Sequence, residues 1–345
     1  MKLIDLTYQG KAVTSAADVE AITSYLAQQN PFSEDTLLLA TNRPVVVIGR
    51  LQDAYTEVNL TALRDAGVEL IRRSSGGGAV YMDEGSFVYT FNIVEVASMG
   101  FRLNFAHYAQ PLIQTLTDLG LPNVALTGRN DVTIAERKVS GMAGFQIGQR
   151  FGVGGTIIFK ANPTMASQLL TPLRSKFESK GFHSVASRIT DIKSLLPATQ
   201  QDLSADGFRQ RFLAQVFHVK LGDPIPTISF TDEQWAQIMA IKAERYGNDL
   251  WNYGRQPHFS NYVRHHYDQG TVAINFEVEQ ERLTQAMIFG DFFTEVADLS
   301  TAEGQLVGTK MTFNDLAQTF DTTAIKQVFP WMSGEQFAHL VLAKD

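Results

Sequence analysis

Apolar and polar residues alternate along several segments of the chain at the two-residue period of a half-buried β-strand. In other segments the apolar residues recur every three or four positions, as they do on one face of a helix. The strand period predicts strands at residues 36–40, 43–49, 68–71, 86–91, 124–126, 131–135, 138–146, 152–159, 261–267, 271–278 and 283–289. The helical period predicts helices at residues 15–29, 103–119, 163–170, 191–195, 203–217 and 232–246, with further helices toward the end. This order predicts a mixed α and β protein in which strands 138–146 and 152–159 form a hairpin that turns near Gly148 and Gln149.

The regular pattern is interrupted between residues 247 and 259, where Gly, Asn, Pro and aromatic residues are frequent. Beyond this segment the strand pattern restarts. Such an interruption is typical of a domain boundary, and 345 residues are enough to bury two cores. We therefore predict a larger domain at residues 1–247 and a smaller one at 248–345, with Trp251, Tyr253 and Phe259 packed between them.

Three consecutive glycines, Gly76 to Gly78, follow the arginines Arg72 and Arg73 and lie between two predicted strands. Glycine lacks a Cβ and tolerates positive φ, so backbone amides there can approach a ligand closely and form a cradle for phosphate oxygens. An adjacent arginine can add a fixed positive fork. The glycines open no helix and no Gly-Lys-Ser/Thr follows, which excludes a Rossmann fingerprint and a P-loop. The alternative is a glycine-rich bulge in a sheet that binds nothing.

Composition and charge favour a soluble enzyme over a membrane or nucleic-acid protein. Hydrophobic residues make up 44% of the chain, yet no apolar run approaches the roughly 20 residues that cross a bilayer. The first residues lack the regions of a signal peptide, so we expect a cytoplasmic protein with no membrane partner. A net charge of −7 argues against a nucleic-acid partner, since such partners need a basic face. Positive residues cluster near the glycines and at residues 129–138, which suits a small anionic ligand.

The chain contains no cysteine, which excludes disulfides, a thiolate nucleophile and zinc–thiolate sites. The histidines offer no metal-binding spacing, because His265 and His266 are adjacent and point to opposite faces of a strand. No serine nucleophile elbow is visible. A reaction at a carboxylate would therefore need activation by some route other than a cysteine thioester.

Three motifs in a fixed order resemble the lipoate–protein ligases. They are RRSSGGGAVY at residues 72–81, GRND at 128–131 and RKVSGMA at 137–143. The resemblance continues at residues 47–52, 184–188, 251–254, 257–259 and 290–291, and so covers nearly the whole chain. It implies an α+β fold: a mixed β-sheet catalytic domain of the biotin and lipoate ligase type, followed by a smaller α+β accessory domain.

The resemblance also implies site residues. The lysine of the RKVSG motif contacts both lipoate and nucleotide in the family, and Lys138 matches it. An ammonium between the lipoate carboxylate and the α-phosphate of ATP would reduce their repulsion and stabilise the charge that develops during attack. The residues implied in binding ATP and lipoyl-AMP are Arg73, Gly76, Gly77, Gly78, Ala79, Val80, Tyr81, Asn130 and Lys138, with Gly77 and Lys138 also at lipoate. Asp131 is the candidate Mg²⁺ ligand, against the alternative that GRND is simply a turn. Ser140 and Gly141 would let the Lys138 strand approach the ligand closely, against the alternative that they form a bulge.

The implied activity is ATP-dependent attachment of lipoate to a lysine of an acceptor protein through lipoyl-AMP, with ATP and Mg²⁺ as cofactors. The implied partners are lipoyl-acceptor domains of 2-oxoacid dehydrogenase complexes or a glycine-cleavage H-type protein. One alternative is a biotin ligase, which shares the reaction type. Another is a non-catalytic or ATP-independent lipoyl-transfer paralogue, although related octanoyltransferases and amidotransferases carry the acyl group on a cysteine that this chain lacks.

The chain departs from the family pattern at two places. Many members have a histidine where this chain has Met82, which removes an imidazole next to the glycine-rich segment. The family's N-terminal helix usually carries an Asn and a Glu-Glu pair, whereas residues 16–20 keep only scattered acids. Both departures leave an altered acyl or acceptor preference open.

Overall fold

The computed structural model describes residues 1–29, 31–94, 104–128, 130–147, 150–171, 189–254, 259–292, 294, 296 and 298–343. Four features of the sequence lie outside these residues. They are Arg129, the hairpin turn at Gly148 and Gln149, the segment 184–188, and the pair Pro257 and His258. Within the described residues, no helix combines the length and apolar character that a bilayer crossing needs.

The strands in chain order are β1 Lys2–Ile4, β2 Thr7–Tyr8, β3 Lys11–Ala12, β4 Thr36–Ala40, β5 Val45–Ile48, β6 Glu69–Arg72, β7 Val80–Met82, β8 Ser86–Ile93, β9 Val124–Thr127, β10 Asp131–Ile134, β11 Arg137–Ile147, β12 Arg150–Ile158, β13 Thr227–Ile228, β14 Asn261–Tyr267, β15 Gly270–Glu279 and β16 Arg282–Phe292. The α-helices are α1 Ala16–Gln29, α2 Ala54–Glu57, α3 Leu60–Asp65, α4 Phe105–Asp118, α5 Pro163–Leu169, α6 Ile192–Leu195, α7 Ala205–Phe217, α8 Asp232–Ile241, α9 Asp249–Asn252, α10 Ser300–Leu306, α11 Phe313–Thr322, α12 Ile325–Val328 and α13 Gly334–Leu342. A short 3₁₀ helix spans Ala198–Gln200, and one turn of π-helix spans Lys242–Tyr246.

Contacts divide the chain into two compact units. The first comprises residues 1–48, 55–75 and 79–252, and the second comprises 49–54, 76–78 and 253–345. The first unit contains a mixed eight-stranded sheet in the order β13-β1-β4-β8-β12-β11-β10-β9. Strand β1 is parallel to both of its neighbours, and the remaining pairs are antiparallel.

Both faces of the large sheet are covered, and strand β4 is therefore buried at every position. On β4, Leu37 and Leu39 join a core with α4 and α7, whereas Leu38 and Ala40 join a second core with α1. Successive side chains of a strand point to opposite faces, and this alternation explains why all five residues of β4 are buried.

The first unit also contains a small three-stranded sheet, in which β5 lies between β6 and β7. The four residues of β5, Val45–Ile48, are all buried. It runs parallel to β6 and antiparallel to β7, with Ile48 opposite Arg72 and Val47 opposite Val80. This pairing fixes both ends of the segment that carries the three glycines.

The second unit pairs an antiparallel sheet, β14-β15-β16, with helices α10 to α13. Its core includes Ile274 and Ile288 from the sheet and Phe320 and Phe337 from the helices. The carbonyl of Leu51 accepts a hydrogen bond from the Gly290 amide at 2.7 Å, which ties residues 49–54 to this unit.

The predicted α+β class with a mixed sheet is confirmed, and most predicted elements lie within a few residues of the observed ones. Two predictions were wrong in detail. The helix predicted at 232–246 is α-helical only to Ile241, because the chain then widens into the π turn. The strand after the glycines is the short β7 rather than β8, because three residues suffice to pair with β5.

Candidate functional site

Lys138 lies at the start of β11, in a hairpin with β10 that brings its ammonium to Asp131. Ala135 and Glu136 both have positive φ and form the two-residue turn between the strands. The pairing register shifts between Val132 and Thr133, as at a β-bulge. Lys138 Nζ then lies 2.7 Å from Asp131 Oδ1, with side chains 24% and 14% exposed. The hairpin thus presents a partly buried cation that still reaches the surface.

Gly141 provides the space that the Lys138 side chain occupies. A Cβ built on Gly141 would lie 2.3 Å from Lys138 Nζ and 2.6 Å from its Cε, far inside van der Waals contact. The lysine stem therefore folds across the bare backbone of Gly141 toward Asp131. The expectation that this glycine serves a close approach of the strand to ligand stays a prediction, and the side chain of Lys138 lies across the same space.

Asn130 and Asp131 both have partners within the protein. The Asn130 side-chain amide donates to the carbonyl of Met142, and the Met142 amide donates to the Asn130 carbonyl at 2.8 Å. Asp131 accepts from Lys138. Among the described residues no group of three or more His, Asp or Glu side chains could hold a metal ion. A single carboxylate fits only a Mg²⁺ ion held mainly by phosphates and water, so Asp131 as a metal ligand stays a prediction.

Arg73 lies directly after β6 and is held by the backbone of β5. Its amide donates to the carbonyl of Ile48 at 3.0 Å, and its guanidinium Nη1 lies 3.4 Å from the carbonyl of Val47. Glu20 of α1 is its acidic neighbour. Burial raises the pKa of Glu20 to about 7, and the charge of Arg73 and the amide of Ser74 offset part of that rise. The arginine is therefore placed near the glycines beside a carboxyl that titrates near neutral pH.

The three glycines and the residues after them fall in different units. Gly76 to Gly78 group with the second unit, and Gly77 has φ +100°, a conformation that other residues rarely adopt. Ala79, Val80 and Tyr81 group with the first unit, where the last two begin β7. Val80 and Tyr81 are half-buried, and burial, assisted by Asp83, raises the pKa of Tyr81 to about 12.

Met82 is a core residue of the first unit. It is 4% exposed and packs in the core that α1 shares with β4 and β5. Its sulfur lies 3.4 Å from the hydroxyl of Thr156, which can donate to it. The replacement of a family histidine by Met82 is therefore accommodated inside the protein.

The structure adds residues that sequence reasoning missed. Ser24, Ser74 and Tyr246 share hydrogen bonds, and Asn252 bonds to Arg72. No local signal could reveal these pairs, because about 170 to 220 residues separate the partners. The indole N–H of Trp251 donates to the carbonyl of Arg72 within the first unit, and the packing of Trp251 between domains stays a prediction.

Two family models match this chain. Residues 15–217 match the lipoyl protein ligase A/B catalytic domain, and residues 256–341 match the bacterial lipoate protein ligase C-terminus. The chain is 32% identical over 321 residues to the lipoate-protein ligase LplJ of Bacillus subtilis, covering 93% of this chain and 95% of that protein. It is 30% identical over 344 residues to a lipoate–protein ligase of Streptococcus pyogenes, covering 99% and 100%.

Solved structures show the same fold. Plasmodium falciparum LipL1 in complex with lipoate superposes with a TM-score of 0.71 at 19% identity, covering 93% of this chain and 94% of that one. Lipoate-protein ligase A bound with ATP gives a TM-score of 0.58 at 20% identity, covering 73% and 98%. The matched models, the identity over nearly the full length and the three motifs agree: the chain belongs to the lipoate–protein ligase family and is a ligase.

Proposed function

We propose that this protein activates lipoate with ATP and transfers the lipoyl group to a lysine of an acceptor protein. The arrangement of Lys138, Asp131 and Gly141, in a chain of this family, is the observation that carries the proposal. It presents an oriented ammonium at a partly open surface. That is the group required where two anions must approach each other.

In the first half-reaction an oxygen of the lipoate carboxylate attacks the α-phosphorus of ATP. The bond between that phosphorus and the bridging oxygen breaks, pyrophosphate leaves and lipoyl-AMP forms. Lys138 would reduce repulsion between the carboxylate and the phosphate and stabilise the charge that develops. Asp131 holds the ammonium before substrate arrives, and a phosphate oxygen can replace one of its oxygens as the partner.

The glycine-rich segment is the proposed contact for the nucleotide. Backbone amides at Gly76 to Gly78 would donate to oxygen atoms of ATP and lipoyl-AMP, and Gly77 would also border lipoate. Arg73 would add positive charge. Val80 and Tyr81 would offer apolar surface, and Ala79 and Asn130 would make polar contacts through their main chains. A Mg²⁺ ion bound to the phosphates would neutralise further charge, with Asp131 as its candidate protein ligand.

In the second half-reaction the amine of an acceptor lysine attacks the acyl carbon of lipoyl-AMP. The anhydride C–O bond breaks, AMP leaves, an amide forms, and the amine loses a proton to solvent. A solved chain with the same fold (TM-score 0.61, 21% identity) comes from a structural analysis of a bi-partite lipoate protein ligase and its E2 lipoyl domain from Thermoplasma acidophilum. We propose acceptors of this kind, the lipoyl domains of 2-oxoacid dehydrogenase complexes or a glycine-cleavage H-type protein. The second unit is then an accessory domain, and a cytoplasmic role in lipoate salvage completes the proposal.

Transfer to an isolated lipoyl domain tests this function. With lipoate, ATP and Mg²⁺, the domain should gain the mass of one lipoyl group, and no gain should occur without ATP. Transfer without ATP from a lipoylated donor would instead indicate a lipoyl transferase, and transfer of biotin in place of lipoate would indicate a biotin ligase.

A further inference from the structure

We propose that Tyr246, Trp251 and Asn252 are positioning residues for the first half-reaction, because they hold Arg72 and Ser74 on either side of Arg73. This inference rests on the proposed function and adds residues that neither matched family model includes, since the models end at residue 217 and restart at 256. All the residues concerned belong to the first unit.

Arg72 is bonded to the segment 251–252 through its backbone and its side chain. The Arg72 amide donates to Asn252 Oδ1 at 3.0 Å, and the Arg72 carbonyl accepts from the Trp251 indole N–H at 2.8 Å. In return, Arg72 Nε donates to the Trp251 carbonyl at 2.9 Å. Arg72 and Asn252 are both buried, where hydrogen bonds are costly to break. The last residue of β6 is therefore fixed at both of its peptide groups.

Ser74 is held from the other side by Tyr246. The phenol oxygen of Tyr246 lies 2.5 Å from Ser74 Oγ and 2.5 Å from Ser24 Oγ on α1. A phenol can donate to one hydroxyl and accept from another, so a single oxygen bridges the two serines. Tyr246 is fully buried, and burial raises its pKa, which keeps the bridging proton in place at neutral pH.

The π turn at Lys242–Tyr246 directs the tyrosine into this bridge. Its first residue, Lys242, forms an ion pair with Asp18 of α1 at 2.7 Å. The carbonyl of its last residue, Tyr246, accepts a hydrogen bond from Asn252 Nδ2 at 2.9 Å. Single π turns are uncommon and occur frequently at functional sites. Here the widened turn joins the bond at Ser74 to the bonds at Arg72 in one connected network.

The consequence concerns Arg73, which is implied in binding the nucleotide. The hydrogen bonds at Arg72 and Ser74 restrict the backbone of Arg73 from both sides, so its guanidinium should need less ordering when ATP binds. Tyr246, Trp251 and Asn252 would act through this arginine rather than touch the substrate. Removing one bond should therefore weaken ATP binding more than it weakens lipoate binding or the fold.

Tyr246→Phe tests the proposal, because it removes the bridging hydroxyl and keeps the ring. The assay is lipoate-dependent pyrophosphate release, with KM measured for each substrate. We expect KM for ATP to rise about tenfold, the scale of one or two buried hydrogen bonds, with KM for lipoate within about twofold of the parent value. Tyr25→Phe is the matched control, since it removes a tyrosine hydroxyl from a buried ring on α1 that packs on Phe230. It should leave both KM values unchanged.

Ser74→Ala is a second test, and this small substitution should have little effect on stability. Alone it should reproduce the rise in KM for ATP, and combined with Tyr246→Phe it should add almost nothing, because both substitutions remove the same bond. Fully additive effects, an unchanged KM for ATP in Tyr246→Phe, or equal rises in both KM values would overturn the positioning role. A parent protein that releases no pyrophosphate would instead refute the proposed function, and this inference with it.

Discussion

Lys138 and Arg73, the two proposed cationic residues of the site, reach their positions in different ways. The Lys138 side chain is placed by its own hairpin, through Asp131 and the bare backbone of Gly141, all within eleven residues. Arg73 depends on residues far away in the sequence, namely Glu20 on α1 and the segment that bonds to Arg72 and Ser74. Local placement makes the lysine a compact motif, whereas distant placement ties the arginine to the folding of the whole first unit. A substitution near Lys138 should therefore affect catalysis alone, and one near Arg73 should affect stability as well.

The largest effect should follow removal of the lysine. Lys138→Ala should lower the rate of lipoyl-AMP formation by at least about 100-fold, the scale of losing one preorganised charge in the transition state. Thermal unfolding should change little, since the side chain is only partly buried. Lys160→Ala, at an exposed lysine after β12, is the matched control and should retain the parental rate. Formation of lipoyl-AMP at the parental rate by Lys138→Ala would remove this residue from the mechanism.

A somewhat smaller loss should follow Gly141→Ala. The new methyl group would occupy the position of the ammonium, and a flexible lysine tip can move aside without unfolding the sheet. We expect adenylation to fall about 30-fold, while the free energy of unfolding changes by about 1 kcal/mol or less. Gly304→Ala, where the added Cβ meets nothing within 4 Å, controls for the substitution itself. Unchanged activity in Gly141→Ala would show that the lysine does not need the position seen here.

Substitution in the glycine-rich segment should weaken ligand binding. Gly77→Val places a branched side chain at φ +100° and removes the space for close approach, so the affinity for lipoyl-AMP measured by calorimetry should fall about tenfold. Gly222→Val is the matched control, because Gly222 has φ +95°, lies in an exposed loop and has open space around it. The two variants should lose similar stability while only the first loses affinity. If both variants bound lipoyl-AMP as tightly as the parent, the three glycines would have a structural role in the sheet and no role in binding.

The smallest effect on activity belongs to the last change, which alters the pH dependence of stability near Arg73. The ordinary pKa of Glu20 is 4.5, and in the folded protein it is about 7. Between these values the folded protein keeps a proton that the unfolded chain has released, so this carboxyl favours folding at low pH and the contribution is lost as the pH rises through 7. The parent should lose about 2–3 kcal/mol more than Glu20→Gln between pH 5 and pH 8, measured by urea unfolding. Parallel pH profiles for the two proteins would contradict the raised pKa.

The two regions also show what could be predicted from the sequence. The apolar run of β4, the turn at Gly120 after α4 and the RKVSG motif are local signals, so the large sheet and Lys138 could be predicted. The pairing of Lys138 with Asp131 could not be predicted, because the register between β10 and β11 shifts beside Lys138. The hydrogen bonds of Tyr246 and Asn252 gave no signal, since a bond between residues 170 to 180 positions apart depends on the tertiary fold and not on neighbouring residue types.

Exchange of labelled pyrophosphate into ATP, measured without any acceptor protein, tests the central claim most directly. It reports the first half-reaction alone, because lipoyl-AMP and pyrophosphate re-form ATP on the enzyme. The account predicts that label enters ATP only when lipoate is present, and that Lys138→Ala slows this exchange by at least about 100-fold while Lys160→Ala does not. Exchange that ignores lipoate, or that proceeds equally well without Lys138, would contradict it.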